Sequence, residues 1–252
     1  MTSSNKIYVV TGGNRGLGLG LVKSLLARPA TTVIASVRNE EAAASLQAET
    51  QAVTAGKQSS LHILQLDFSS AIAPEKVVET FNIAAGVDHI DVLICNAGYA
   101  APMVPAVLTS AEDLRASFET NTIAPLLVFQ GLWPLLQKSA GAPKLINISS
   151  SVGSIGGQEP FPGGAYGPSR AAGNWLTRAL HLQHPNLIAV ALHPGWVQTR
   201  AGDFVAQQWG YAPGPPETID NSVKGMLQLI DGATREATSG KFITYEGQEL
   251  VW

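Results

Sequence analysis

IYVVTGGNRGLG, running from Ile7 to Gly18, is the stretch that decides the fold. Its first residues are apolar and rich in β-branched side chains, which predicts a buried strand over Ile7–Thr11. Gly12, Gly16 and Gly18 follow at once in the spacing G-x-x-x-G-x-G. Glycines let the chain turn tightly and let its backbone approach a pyrophosphate, and a helix opening at Gly16 would present free N–H groups and a positive dipole end. A glycine pattern alone is weak evidence, but one that ends the first strand and opens a helix predicts a dinucleotide site.

Outward from this loop, apolar runs alternate with segments of helical period. The predicted strands are Ile7–Thr11, Thr31–Val37, Leu61–Leu66, Val92–Cys95, Lys144–Ser149, Leu187–Leu192 and Lys241–Thr244. Helices are predicted over Gly16–Ala27, Glu40–Ala55, Pro74–Ala85, Ala111–Lys138, Ala165–Gln183 and Glu217–Ile230. Strands spaced by helices imply βαβ units, hence an α/β fold with a doubly wound parallel sheet of about seven strands. Gly153–Gly164 reads as a loop, as does Gly210–Pro216 within a longer segment after Pro194. No composition break divides the chain, so a single Rossmann domain over 1–252 is expected.

The end of the second strand bears on cofactor choice. An NAD site places an acid there for the ribose 2′-OH, whereas an NADP site needs cations for the 2′-phosphate. The sequence reads Ala35-Ser36-Val37-Arg38, without an acid, and Arg15 lies inside the glycine loop. Guanidinium groups grip phosphate bidentately, so Arg15 and Arg38 together predict NADP(H). Asn39 reads as the N-cap of the next helix, with Glu40 and Glu41 in its first turn.

The bulk numbers exclude several classes. The 252 residues are 45% hydrophobic and 14% charged, with a formal net charge of -3. That charge gives no pull toward nucleic acid or anionic lipid. No run approaches the roughly 18 apolar residues of a spanning helix, and the polar start Met1–Lys6 does not read as a signal peptide. Cys95 is the sole cysteine, so neither an intrachain disulfide nor a cysteine metal site is expected. A cytoplasmic protein with a small-molecule substrate and no metal, membrane or nucleic-acid partner is the expectation.

The sequence resembles the short-chain dehydrogenase/reductase family at several separate points. They are TGGNRGLG (Thr11–Gly18), LDF (Leu66–Phe68), NAG (Asn96–Gly98), Asn121 in FETNTIAP, NISS (Asn147–Ser150), YGPSR (Tyr166–Arg170) and HPGWVQT (His193–Thr199). They fall in the family's order and cover almost the whole chain. The ending GKFITYEGQELVW is similar to the C-termini of the sniffer and C-factor group of carbonyl reductases.

The resemblance implies a role for each matching residue. Gly12, Asn14, Arg15, Gly16, Leu17 and Gly18 would surround the phosphates, and Asp67 with Phe68 would lie beside the adenine. Asn96, Ala97 and Gly98 would turn under the riboses, while Pro194, Gly195, Val197 and Thr199 would shape the nicotinamide end. Asn121 would help to organise a water chain behind the site, and Ser150 and Tyr166 would be the catalytic hydroxyls. The resemblance also implies a homodimer or homotetramer that packs the Ala111–Lys138 and Ala165–Gln183 helices.

Ketone reduction needs a hydride, a proton for the new alkoxide and polarisation of the carbonyl. A tyrosine hydroxyl gives the proton more readily beside a fixed positive charge, and a serine hydroxyl stabilises the developing charge. The family's cation is a lysine four residues after the tyrosine; Arg170 stands there, facing Tyr166 as its i+4 neighbour, where it would bond the nicotinamide ribose. Arginine keeps its charge but is a poor link in a proton relay. Ser150 precedes Tyr166 by sixteen residues, a longer interval than the family's, which leaves Ser149, Ser151 and Ser154 as alternatives. His193 reads as structural. Trp196, Phe204, Trp209 and Tyr211 fall in a segment expected to cover substrate, around 196–216, with Ser150, Trp196, Phe204 and Trp209 touching it. Aromatic area there suggests an apolar, aromatic or polycyclic ketone as substrate. The leading expectation is an NADPH-dependent carbonyl reductase. Arg170 keeps open a non-redox cyclisation or isomerisation, and a redox-sensing role is a further alternative.

Overall fold

The computed structural model describes residues 5–84 and 86–252. In chain order it has β1 (Lys6–Thr11), α1 (Gly16–Leu26), β2 (Thr31–Val37), α2 (Glu40–Gln51), β3 (Ser60–Gln65), α3 (Pro74–Ala84) and β4 (Val92–Cys95). The second half runs α4 (Ala111–Phe118), α5 (Ala124–Leu136), β5 (Lys144–Ile148), α6 (Tyr166–Gln183), β6 (Ile188–His193), α7 (Arg200–Gln208), α8 (Ile219–Gly232) and β7 (Phe242–Thr244). Seven strands form one parallel sheet in the order β3-β2-β1-β4-β5-β6-β7.

Side chains alternate across the strands and bury both faces, which is why the strands are apolar throughout. Tyr8, Val10, Val33 and Ile94 pack on α1, α2 and α8 through Leu21, Leu25, Leu46 and Met226. Val9, Ile34 and Leu93 face the other way, against Val77, Phe81, Val128 and Leu132 of α3 and α5. The strand order reverses between β1 and β4, so the chains leaving them diverge and open a crevice at the carboxyl ends. Tyr8 pairs with Val92 and Val10 with Ile94, a register that sets Gly12 beside the turn after β4.

The predicted strands are present, with ends shifted by no more than a residue. Apart from end shifts of one or two residues (the last helix runs Ile219–Gly232 rather than Glu217–Ile230), the helices differ in three places. The second stops at Gln51, four residues before the predicted end at Ala55. The helix expected over Ala111–Lys138 is interrupted by a π-turn, Glu119–Ile123. Pro125 explains the interruption: it has no N–H for the carbonyl of Asn121 and its ring clashes with that carbonyl, so the turn widens. The third difference is α7, within the segment read as a loop, where Thr199 caps the helix by accepting from the Gly202 N–H at 3.1 Å. The predicted N-cap at Asn39 is present and accepts from the Ala42 N–H at 2.9 Å. The helix end expected at Ala85 and the polar start Met1–Ser4 lie outside the described residues. Among the described residues no helix is long and apolar enough to cross a membrane.

Candidate active site

The phosphate end is built from backbone. Gly12 adopts a φ of 68°, and a Cβ there would stand 3.0 Å from the Ala97 Cα, so the loop and the turn after β4 approach more closely than a side chain permits. Thr11, which the sequence reading did not single out, fastens the two: its hydroxyl accepts from the N–H groups of Asn96 and Ala97, each at 3.0 Å. Asn96 returns the contact through its Nδ2 to the carbonyls of Thr11 (2.9 Å) and Gly12 (3.2 Å). Arg15 occupies the N-cap of α1 and its side chain makes no cap bond, leaving the first-turn N–H groups of Gly16, Leu17 and Gly18 for an anion. Asn14 completes the loop. A phosphate would be met by both backbone and guanidinium.

Arg38 is exposed at the end of β2 and Asp67 at the end of β3. The Asp67 carboxylate lies below its ordinary range, first because the Ser69 N–H donates to it at 2.9 Å and second because the Ser69 hydroxyl bonds it, with a smaller attraction from Arg38. Arg38 stands exposed at this end of the sheet. Phe68 is buried beneath them, 7% exposed.

Asn121, fully buried in the π-turn, has its amide engaged by protein. Its Oδ1 accepts from the Tyr99 N–H at 2.8 Å, and its Nδ2 donates to the Tyr99 carbonyl and the Ser169 hydroxyl, both at 2.9 Å. It thereby locks the Asn96–Tyr99 turn onto α6.

Arg170 lies in the second turn of α6 and is 6% exposed. Its Nη1 donates to the Ile148 carbonyl at 2.9 Å, and its Cζ lies 5.0 Å from the centre of the Tyr166 ring. A Cβ at Gly98 would overlap its Nη2, so glycine at that turn is what admits an arginine here. The Arg170 Nε–H is buried with no partner among the described residues. A buried donor without a partner is costly, and a ribose hydroxyl would satisfy it. This orphan donor and the side-chain-free cradle at Gly12 fit a nicotinamide dinucleotide.

The four candidate serines differ in what holds them. Ser149 is buried and donates to Asn174 Oδ1 at 2.6 Å, while Ser154 donates to the Val251 carbonyl at 2.6 Å. Ser150 is half-buried and accepts only a long bond, 3.3 Å, from the Val152 N–H that begins the short helical turn Ser151–Gly153. The Ser151 N–H donates to His193 Nδ1 at 3.2 Å. Desolvation pushes the His193 imidazole down to about 4, so it stays neutral and acts as an acceptor.

Beyond β6, the Pro194 carbonyl accepts from Ser222 at 2.6 Å, and Trp196 and Gln198 exchange backbone bonds with Glu217 around the buried Val197. Gly195 packs on Tyr245. The Thr199 methyl comes within 3.4 Å of a Cβ built on Gly16, so the end of this segment faces the start of α1 across the crevice. Trp196 packs on Trp209 (5.5 Å between centres) and on Tyr211 (5.1 Å). Phe204 lies on α7, with no ring contact to this group among the described residues. A cavity of about 630 Å³ opens elsewhere, between α8 and β7, and none of the expected catalytic groups lines it.

The family model described as short chain dehydrogenase matches residues 6–208. The norsolorinic acid ketoreductase of Aspergillus parasiticus is 36% identical over 98% of this chain and 91% of its own. The crystal structure of the NADPH-bound carbonyl reductase from chicken fatty liver superposes with a TM-score of 0.81, at 31% identity over 98% of this chain and 99% of its own. The carbonyl reductase Sniffer of Drosophila melanogaster gives the same TM-score at 30% identity, covering 98% and 99%.

Proposed function

The chain belongs to the short-chain dehydrogenase family, and from that premise we propose that it is an NADPH-dependent carbonyl reductase for apolar, aromatic or polycyclic ketones. The observation that carries this reading is the meeting of Tyr166 and Arg170 at the end of β5, against the Gly98 turn of the dinucleotide crevice. When bound there, the reduced cofactor supplies a hydride. Tyr166 donates the proton to the carbonyl oxygen, and Ser150, whose hydroxyl accepts only one long bond from protein, hydrogen-bonds that oxygen. Arg170 holds a fixed charge beside the phenol, where negative charge develops as the proton leaves, and offers its Nε–H to the ribose. Arg15 and Arg38 take the 2′-phosphate. The 196–216 segment covers the substrate, and its rings favour wide apolar ketones, as the similarity to a norsolorinic acid ketoreductase also supports. We further propose a cytoplasmic homo-oligomer; Trp175 and Leu182, exposed seven residues apart on α6, support a packing face there.

The pinned arm of Arg170 favours one second reading, a non-redox reaction in which the planar guanidinium orients substrate. NADPH consumption with cyclohexanone, α-tetralone and anthrone separates the two. Reductase chemistry expects turnover by the wild type, a fall of about 100-fold in Arg170→Ala together with weaker NADPH binding, and retained turnover in Arg170→Lys. Wild-type protein that binds NADPH yet oxidises it with no ketone, while Arg170→Lys does, would overturn the reductase assignment.

A further inference from the structure

The long interval between Ser150 and Tyr166 has a structural use. Its residues form a loop fixed at both ends. Near its start, Ser154 donates to the Val251 carbonyl, and the N–H groups of Ile155 and Gly156 donate to the Trp252 carbonyl at 3.1 and 2.7 Å. Near its end, the Gly164 N–H donates to the Val104 carbonyl at 3.1 Å. A Cβ at Gly163 would lie 3.1 Å from Val152 and 3.6 Å from the Gly167 Cα, so this part of the loop sits between the turn that follows Ser150 and the turn that carries Tyr166. Two residues earlier is Phe161, whose ring stacks on Trp209 at 4.9 Å, while the Trp209 Nε1–H donates to the Pro162 carbonyl at 3.0 Å. Trp209 packs on Trp196, and so the rings connect the loop before α6 to the chain after β6.

Phe161 remains 47% exposed and Tyr211 44%. A ring packed on one face and bare on the other presents apolar area at the margin of the cleft. We propose that Phe161 is a specificity-determining residue: the 154–164 loop forms a second wall of the substrate cleft, and the Phe161 ring extends the aromatic surface of Trp209 and Trp196 to receive a fused-ring ketone. The inference rests on the carbonyl-reductase reading for the identity of the ligand. It adds that ketone breadth is sensed from the loop before α6 as well as from the segment after β6.

The test measures binding and turnover for wild type, Phe161→Ala and Phe161→Trp. Calorimetry with NADP⁺-loaded protein gives affinities for α-tetralone and cyclohexanone, and NADPH oxidation gives kcat/KM for both. Because half of the ring is in solvent, Phe161→Ala should fold, which an unchanged NADP⁺ affinity checks. It should weaken α-tetralone binding and kcat/KM by about tenfold and cyclohexanone by under about twofold, with Phe161→Trp restoring the loss. Equal losses for both ketones, a parallel loss of NADP⁺ affinity, or no loss at all overturns the proposal. If wild type binds α-tetralone through Phe161 but never oxidises NADPH, the reductase reading fails and the wall stands. If it binds neither ketone, both fail.

Discussion

The two halves of the crevice are built by different means. On the β1–β4 side, the contacts that shape the site are made by backbone and by short side chains next to it: the Gly12 approach to Ala97, the Thr11 hydroxyl under the Asn96 turn, and the open first turn of α1. On the β5–β6 side, long side chains from separate segments converge. Arg170 reaches the Ile148 carbonyl, Ser151 meets His193, and Phe161, Trp196 and Trp209 assemble from three stretches of chain. A backbone site tolerates almost no substitution but is independent of the substrate, whereas a side-chain site can be varied residue by residue. The first half suits a constant ligand and the second a changing one.

If this division holds, changes on one side should leave the other intact. The largest separation is expected for Tyr166→Phe, which removes only the proton donor. Its kcat should fall by about 1,000-fold while NADPH affinity by calorimetry stays within about twofold. A comparable fall in cofactor affinity would mean that the halves are not separable at Tyr166.

Arg38→Asp should act in the opposite sense. If Arg38 takes the 2′-phosphate as proposed, replacing it with an acid should reduce the preference for NADPH over NADH by about 30-fold, with kcat at saturating cofactor little changed. Titration of both cofactors checks this, and an undiminished preference would remove Arg38 from the site.

The smallest expected effect sharpens the link inside the β5–β6 half. His193 is held neutral down to about pH 4 in the fold, against about 6.5 when unfolded, so the unfolded chain binds the extra proton between those values. Its contribution to stability is intact above pH 6.5 and is lost as the pH falls toward 4. Protonation also turns the acceptor for the Ser151 N–H into a donor. Going from pH 7 to pH 5, wild-type Tm should drop by about 5 °C more than that of His193→Asn, which offers an oxygen acceptor that does not titrate. Equal drops in a paired melting series would exclude His193 as the group responsible.

The contrast between the halves also governs what could be read in advance. Gly12, Gly16, Gly18, Arg15 and Arg38 stand out as candidates because they lie at a strand end or helix start, and Asp67 through the family resemblance. Arg170 stood out by its spacing from Tyr166, and Pro125 in FETNTIAP already carried the signal for the broken helix, since a proline cannot bond the carbonyl four residues back. Thr11 could have been found from its place between a strand and the first glycine. Helix α7 was hidden because Gly202 and the flanking glycines and prolines suggest a loop, yet Gly202 and Ala206 are buried one turn apart, Gly202 against Val197 and Pro215. Phe161 gave no signal beyond lying in an unusually long interval.

The sequence by itself determined the parallel sheet, the dinucleotide crevice and the identity of the chemical groups near β5, because strand alternation, helix starts and i,i+4 spacing are local properties of the backbone. Only the tertiary structure decided which serine is spent on packing, that the Asn121 amide holds the Tyr99 turn, and that Phe161 meets Trp209. Those outcomes depend on contacts between residues 22 to 97 positions apart, such as Ser149–Asn174, Tyr99–Asn121 and Ser154–Val251. Local pattern carries no information about such pairs, since it is the packing of the whole sheet and its helices that brings them together.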